Sequence, residues 1–185
     1  SQPVAGFISI EPREIGSGHL IVFQFDAAIA SVGTATLSDA LGNPLGSVAS
    51  PTFSGSEVLV PLSGIPNNTR TTVSVSGVNG SATATVSVGF LAGDVDSDGA
   101  VTSTDVSAVK ARSGLAATAA TAAHDVNGSG AVNAVDISAV KANLGQTIPA
   151  LGQASLMLGS TGNGLGTVTS SPGALACPGA CAGNI

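Results

Sequence analysis

Apolar and polar positions alternate with a period of two through most of the first half of the chain. The alternation is carried by Phe7, Ile8 and Ile10, then by residues 20–25, 34–37, 58–62, 72–75 and 82–88. Clusters of turn formers such as Gly42-Asn43-Pro44 and Ile65-Pro66-Asn67-Asn68 punctuate these runs. Short strands at this spacing predict an all-β sandwich over residues 1–90. The pattern then changes. Val106 and Val109 share one helical face, and Ile137, Val140 and Leu144 share another. This spacing predicts helices over 104–112 and 135–144, packed antiparallel on those faces. The Ala/Thr-rich stretch 115–123 between them reads as a helical linker. Residues 146–185 are rich in Gly and hold two apolar runs, 154–158 and 165–168, which predict a short β tail. The predicted fold class is therefore mainly β with a small α module. Its parts are a sandwich over 1–90, a helical module over 91–147 and a β-forming tail over 148–185, a truncated module or an assembly strand.

An internal repeat occupies the middle part. The stretch from Asp94 to Ala111 aligns with Asp125 to Ala142 at an offset of 31, with 11 of 18 positions identical. Each copy opens with a 12-residue acidic loop. In the first, Asp94, Asp96 and Asp98 take positions 1, 3 and 5. Gly99 allows the turn, Ala100 offers its carbonyl, Thr102 is ninth and Asp105 closes the loop. In the second the same places fall to Asp125, Asn127, Ser129, Gly130, Ala131, Asn133 and Asp136. Alternate residues of a tight loop aim hard oxygens at one centre, the arrangement a calcium ion takes. The set predicts two bound Ca2+ ions. Unlike an EF-hand, each loop ends in Asp rather than Glu, and the residues before Asp94 read as strand and loop, with no entering helix.

A duplicated Asp-x-Asn/Asp-x-Asp/Ser-Gly-x-Val-x-x-x-Asp loop with an exiting helix resembles a dockerin domain, over residues 93–145. The resemblance implies calcium binding and docking on a cohesin-like partner in extracellular bacterial assemblies. It also implies partner-binding positions at Ser103, Thr104 and Lys110 in one copy, and at Ala134, Val135 and Lys141 in the other. The first set carries the family's Ser-Thr pair; the second is apolar. The first 90 residues, with Ile10-Glu11-Pro12-Arg13 and Thr52-Phe53-Ser54-Gly55, resemble an immunoglobulin-like β-sandwich module. The tail from Gly166 to Pro172, followed by Cys177 and Cys181, resembles the start of a further β repeat.

Composition narrows the function. Half of the 185 residues are Gly, Ala, Ser or Thr, with no Trp or Tyr. Charged residues are 9%, against about a quarter in an average domain. Lys and Arg total five and the net charge is −6, which excludes a nucleic-acid footprint. No apolar run approaches the roughly 20 residues of a membrane helix. Ser1 without a preceding Met suggests a processed or trimmed chain. Cys177 and Cys181 are spaced to close a small disulfide loop in an oxidising compartment, with free thiols as the alternative.

Catalytic motifs are poor. Ser107/Lys110 and Ser138/Lys141 fit a Ser-x-x-Lys pattern, but its partner motifs are absent and duplication of one helix explains both. His19 and His124 lack local metal-ligand partners, and no second motif supports Glu11 and Glu14 as a carboxylate pair. Asn67, Asn79 and Asn127 each open an Asn-x-Ser/Thr triplet, which carries little weight in a bacterial protein. The expectation is a non-enzymatic, calcium-stabilised assembly protein at a bacterial cell surface or outside the cell, with no small-molecule substrate and no membrane insertion. It would either self-associate into a fibre or serve as the docking appendage of a larger secreted enzyme or scaffold.

Overall fold

The computed structural model describes residues 8–149, apart from 15 and 17, and the backbone of four short strands between 155 and 184. Ser1–Pro149 form one compact unit and Ala150–Ile185 another. In the first unit eight strands precede two helices. They are β1 (Ser9–Glu11), β2 (His19–Gln24), β3 (Ala35–Asp39), β4 (Ser47–Val48), β5 (Thr52–Ser54), β6 (Glu57–Ser63), β7 (Thr69–Val78) and β8 (Ala82–Phe90). One sheet has the order β1-β8-β7-β3, with β1 parallel to β8. The other runs β2-β6-β4, with β5 also paired to β6.

The two sheets bury one core between them. Val58, Val60 and Leu62 of β6 meet Val73 and Val75 of β7 and Leu37 of β3. Those side chains sit at alternate positions, as the period of a pleated strand requires. On β3 and β7 the outward partners, Thr36, Ser38, Thr72, Ser74 and Ser76, are hydroxyls. Ser74 Oγ lies 2.9 Å from Thr85 Oγ1 across the β7–β8 ladder. A core of small β-branched residues suits so thin a sandwich. β4 and β5 were not expected as strands.

Helices α1 (Ser103–Arg112) and α2 (Ala134–Ala142) follow. They pack around a second core of Leu91, Val95, Val101, Val106, Val109, Val126, Val132 and Val140. The apolar faces read from the sequence are those used, except that Leu144 lies beyond the end of α2 and stays half exposed. Residues 115–123 do not form the helical linker expected. Ala117 N donates to Gly130 O at 2.8 Å, and a bridge joins Ala116 to Ala131. Only a short 3-10 turn, Ala122–His124, is helical.

The helical module sits directly on the sandwich. Past β1 the chain runs along it, Leu91 N donating to Glu11 O and Gly93 N to Pro12 O, while Glu14 N donates to Val126 O at 2.7 Å. Asn67 joins the two parts with both ends of its amide. Its Oδ1 accepts from Ala92 N at 2.7 Å and its Nδ2 donates to Asn143 Oδ1 at 2.9 Å. Gly89 leaves room for this joint. A Cβ there would lie 2.6 Å from Ile10 Cδ1, 2.8 Å from Ile8 Cδ1 and 3.1 Å from Ile148 Cδ1.

In the second unit β9 (Ser155–Leu158) pairs antiparallel with β12 (Cys181–Asn184), and β10 (Val168–Thr169) with β11 (Ala176–Cys177). The disulfide expected between Cys177 and Cys181 rests on side chains outside the described residues.

Candidate metal centre

Each acidic loop turns on a glycine and ends inside a helix. Gly99 and Gly130 sit at φ +90° and +94°, the left-handed region that L side chains avoid. Two residues later a single valine, Val101 or Val132, plunges into the module core, almost without exposure. Thr102 and Asn133 then act as N-caps. Thr102 Oγ1 accepts from Thr104 N at 3.1 Å, and Asn133 Oδ1 from Val135 N at 2.8 Å. The closing aspartates complete capping boxes: Asp105 Oδ2 accepts from Thr102 N, and Asp136 Oδ2 from Asn133 N, both at 2.8 Å. A carboxylate at position 12 thus nucleates the exiting helix and also faces the loop. The shorter Asp, which departs from the EF-hand pattern, is the side chain that makes the box here.

The backbone aims the other oxygens. In the first loop Asp94 accepts from Asp98 N at 3.1 Å and Gly99 N at 2.9 Å, and Asp105 Oδ1 accepts from Val95 N at 2.9 Å. In the second Asp125 accepts from Ser129 N at 2.9 Å and Gly130 N at 2.7 Å, and Asp136 Oδ1 from Asn127 N at 3.1 Å. The repeat seen in the sequence is therefore a repeat of hydrogen bonds. Those anchoring amides were not legible as site groups, because a backbone N–H carries no sequence signal.

The electrostatics fit a cation. Asp94, Asp105 and Asp136 have no exposed surface and Asp125 almost none. One oxygen each of Asp94, Asp96 and Asp98 gather within 4.8 Å of one another. Burial pushes the Asp94 carboxyl up to about 6, against the Gly99 hydrogen bond, and repulsion from Asp105, Asp98 and Asp96 adds to the rise. Asp96 is raised as well, by burial and then by Asp105. A crowded set of hard, acceptor-only oxygens, partly desolvated, is the donor chemistry calcium takes. Ala100 N donates to Asp98 Oδ1 at 2.9 Å, and Thr102 is the N-cap of α1. The second loop has only Asp125 and Asp136 as charges, with Asn127, Ser129, Asn133 and the Ala131 carbonyl. That carbonyl already accepts from Ser129 Oγ at 3.2 Å and Asn133 Nδ2 at 3.1 Å.

The loops brace each other crosswise. Val101 N donates to Gln146 O, and Gly145 N to Val101 O, so the first loop pairs with the residues after α2. Gly114 N donates to Val132 O, and Val132 N to Leu115 O, so the second pairs with the residues after α1. Ser103, Thr104 and Lys110 are exposed on α1, and Ala134, Val135 and Lys141 on α2.

The rejected catalytic motifs have ordinary roles. Ser107 Oγ and Ser138 Oγ each donate to the carbonyl four residues back, both at 2.9 Å. Glu11 is held by Arg13 Nε and Nη2 at 2.6 and 2.8 Å rather than facing Glu14. The pair borders a cavity of about 220 Å3 with His19, Asn67 and Phe90. The His19 ring packs edge-on to Phe90, and its burial lowers the imidazole's proton affinity.

No helix among the described residues is long and apolar enough to cross a membrane. No curated protein and no solved structure matches the chain. Residues 92–145, a span that holds both loops and both helices, match the family model of the dockerin type I domain.

Proposed function

We propose that residues 92–145 are a calcium-dependent docking module, which anchors whatever this chain carries to a separate cohesin-like protein. The match of this span to the dockerin type I domain is the observation that carries the reading. The paired loops, each with buried acidic ends and a capped exiting helix, support it. Two Ca2+ ions would hold the loops: one through Asp94, Asp96, Asp98, Ala100, Thr102 and Asp105, the other through Asp125, Asn127, Ser129, Ala131, Asn133 and Asp136. Calcium would neutralise the clustered carboxylates and fix the angle at which α1 and α2 leave the loops. Ser103, Thr104 and Lys110 would offer one contact surface of hydroxyls and a cation, and Ala134, Val135 and Lys141 a more apolar one.

The chain would act outside a bacterial cell, with its immunoglobulin-like sandwich as a non-catalytic spacer. Of the two roles expected from the sequence, docking is the better supported, since a dockerin-type module calls for a second polypeptide. The self-assembling fibre gains no support from the family match. Immobilised cohesin domains should retain the chain in calcium and release it in chelator, with Ser103→Asp/Thr104→Asp weakening retention. Retention unchanged by chelator, or none on any cohesin tested, would refute the docking reading.

A further inference from the structure

We propose that Asn127 is a deamidation site that bound calcium guards. Asn127 precedes Gly128, so no Cβ screens the following backbone nitrogen from the Asn side chain. Asn127 is half-buried and Gly128 exposed, with Gly128 at φ +66°. Asn127 Oδ1 accepts from Ser129 N at 3.0 Å, which draws electron density from Cγ and stands ready for a developing oxyanion. Its Nδ2, the leaving group, donates to no partner among the described hydrogen bonds. The other local restraints are backbone bonds, from Gly128 N to Asp125 O and from Asn127 N to Asp136 Oδ1, both at 3.1 Å.

Asn79-Gly80 is an internal comparison with the same dipeptide. There the carboxamide is held at both ends: Ala30 N donates to Oδ1 at 2.7 Å, and Nδ2 donates to Ala28 O at 3.1 Å. The Asn79 side chain cannot turn toward Gly80 N without breaking both.

The step balances with water alone. Gly128 N bonds to Asn127 Cγ, the Cγ–Nδ2 bond breaks, and Nδ2 leaves as ammonia with the Gly128 proton. The resulting succinimide takes up one water and opens to aspartate or isoaspartate. Aspartate would place in the second loop the residue type that Asp96 supplies in the first. Isoaspartate would lengthen the backbone by one methylene between the third and fourth loop positions and spoil the spacing of every later ligand.

The protective half rests on the calcium reading of the loop; the unequal reactivity of the two asparagines does not. Attack needs Gly128 N to leave Asp125 O and swing onto Cγ. A loop fixed around an ion, with Asn127 Oδ1 engaged, opposes that swing.

The test incubates the full chain in mildly alkaline buffer with calcium or with chelator, then follows peptides bearing positions 79 and 127 by mass spectrometry with isoaspartate detection. In chelator Asn127 should convert on the order of tenfold faster than Asn79, because one hydrogen bond holds its carboxamide and two hold that of Asn79. Calcium should slow Asn127 and leave Asn79 unchanged. Equal rates at the two positions in chelator would overturn the proposal. Faster conversion at Asn127 that calcium does not slow would overturn the guarding. Calorimetry on the same sample would show whether the second loop had bound the ion at all, and so whether the calcium reading failed first.

Discussion

Asp94 is wholly buried among three other carboxylates, and burial and their repulsion oppose its ionisation. Its carboxyl is raised from 3.8 to about 6, so between those values the calcium-free folded chain holds a proton that the unfolded chain has lost. Stability then falls as pH rises through that window. Bound calcium would reverse the penalty, because the ion favours the carboxylate. Calcium affinity should therefore drop as pH is lowered through about 6, with protons released on binding; buffers of different ionisation enthalpy in titration calorimetry would detect them. An affinity indifferent to pH across this window would contradict the assignment. Ligand charge predicts a ranking too. Asp94→Ala should abolish the tighter of two calcium sites and Asp125→Ala the weaker, since the first loop has four carboxylates and the second two. The acidic cluster of Asp94, Asp96 and Asp98 was legible because the spacing of acceptor side chains is written in the sequence. The second task of Asp105 and Asp136, as third residues of capped helices, was not, since it depends on where each helix starts.

Turns, helices and strands follow local chemistry closely, and each exception has its own cause. The helices begin one residue earlier than their apolar spacing implied, because Thr102 and Asn133 cap them. β4 and β5 escaped notice because strands of two and three residues are too short for alternation to register. The linker failed for another reason. Its Ala/Thr composition favours helix, but Ala116 and Ala117 are claimed by the second loop through backbone hydrogen bonds. Gly99 tests the turn itself. Gly99→Ala places a Cβ in left-handed backbone and should cost about 1–2 kcal/mol by chemical denaturation. The same change at Gly42, also at positive φ but in the sandwich beyond β3, should cost a comparable amount without lowering calcium affinity. Equal loss of affinity in both variants would show that Gly99 has no special part in the loop.

The molecule joins its sandwich and its module through a hydrogen-bonded seam rather than a loose tether. If calcium orders the loops, chelation should melt residues 93–145 and spare the sandwich. The seam changes where the boundary should fall. Hydrogen exchange in chelator should show protection lost through the module and also at Glu14, Leu91 and Gly93, whose amides bond across the seam, while β6 and β7 stay protected. Full retention at those three amides would show that the seam survives alone. Gly89→Ala drives a methyl into Ile8, Ile10 and Ile148 and should destabilise the unit by about 1–3 kcal/mol, read by thermal melting. None of this was legible beforehand, because Ile10, Asn67, Gly89 and Ile148 are far apart in sequence. The crosswise bracing of the loops has a consequence of its own. Neither half of the repeat owns the strand that completes it, so a nick in the exposed stretch near Thr118 would leave two pieces, each presenting an open valine edge. The pieces should act as a split reporter. Carried on separate chains, residues 8–117 and 119–149 would be inert apart and would find each other when calcium is supplied.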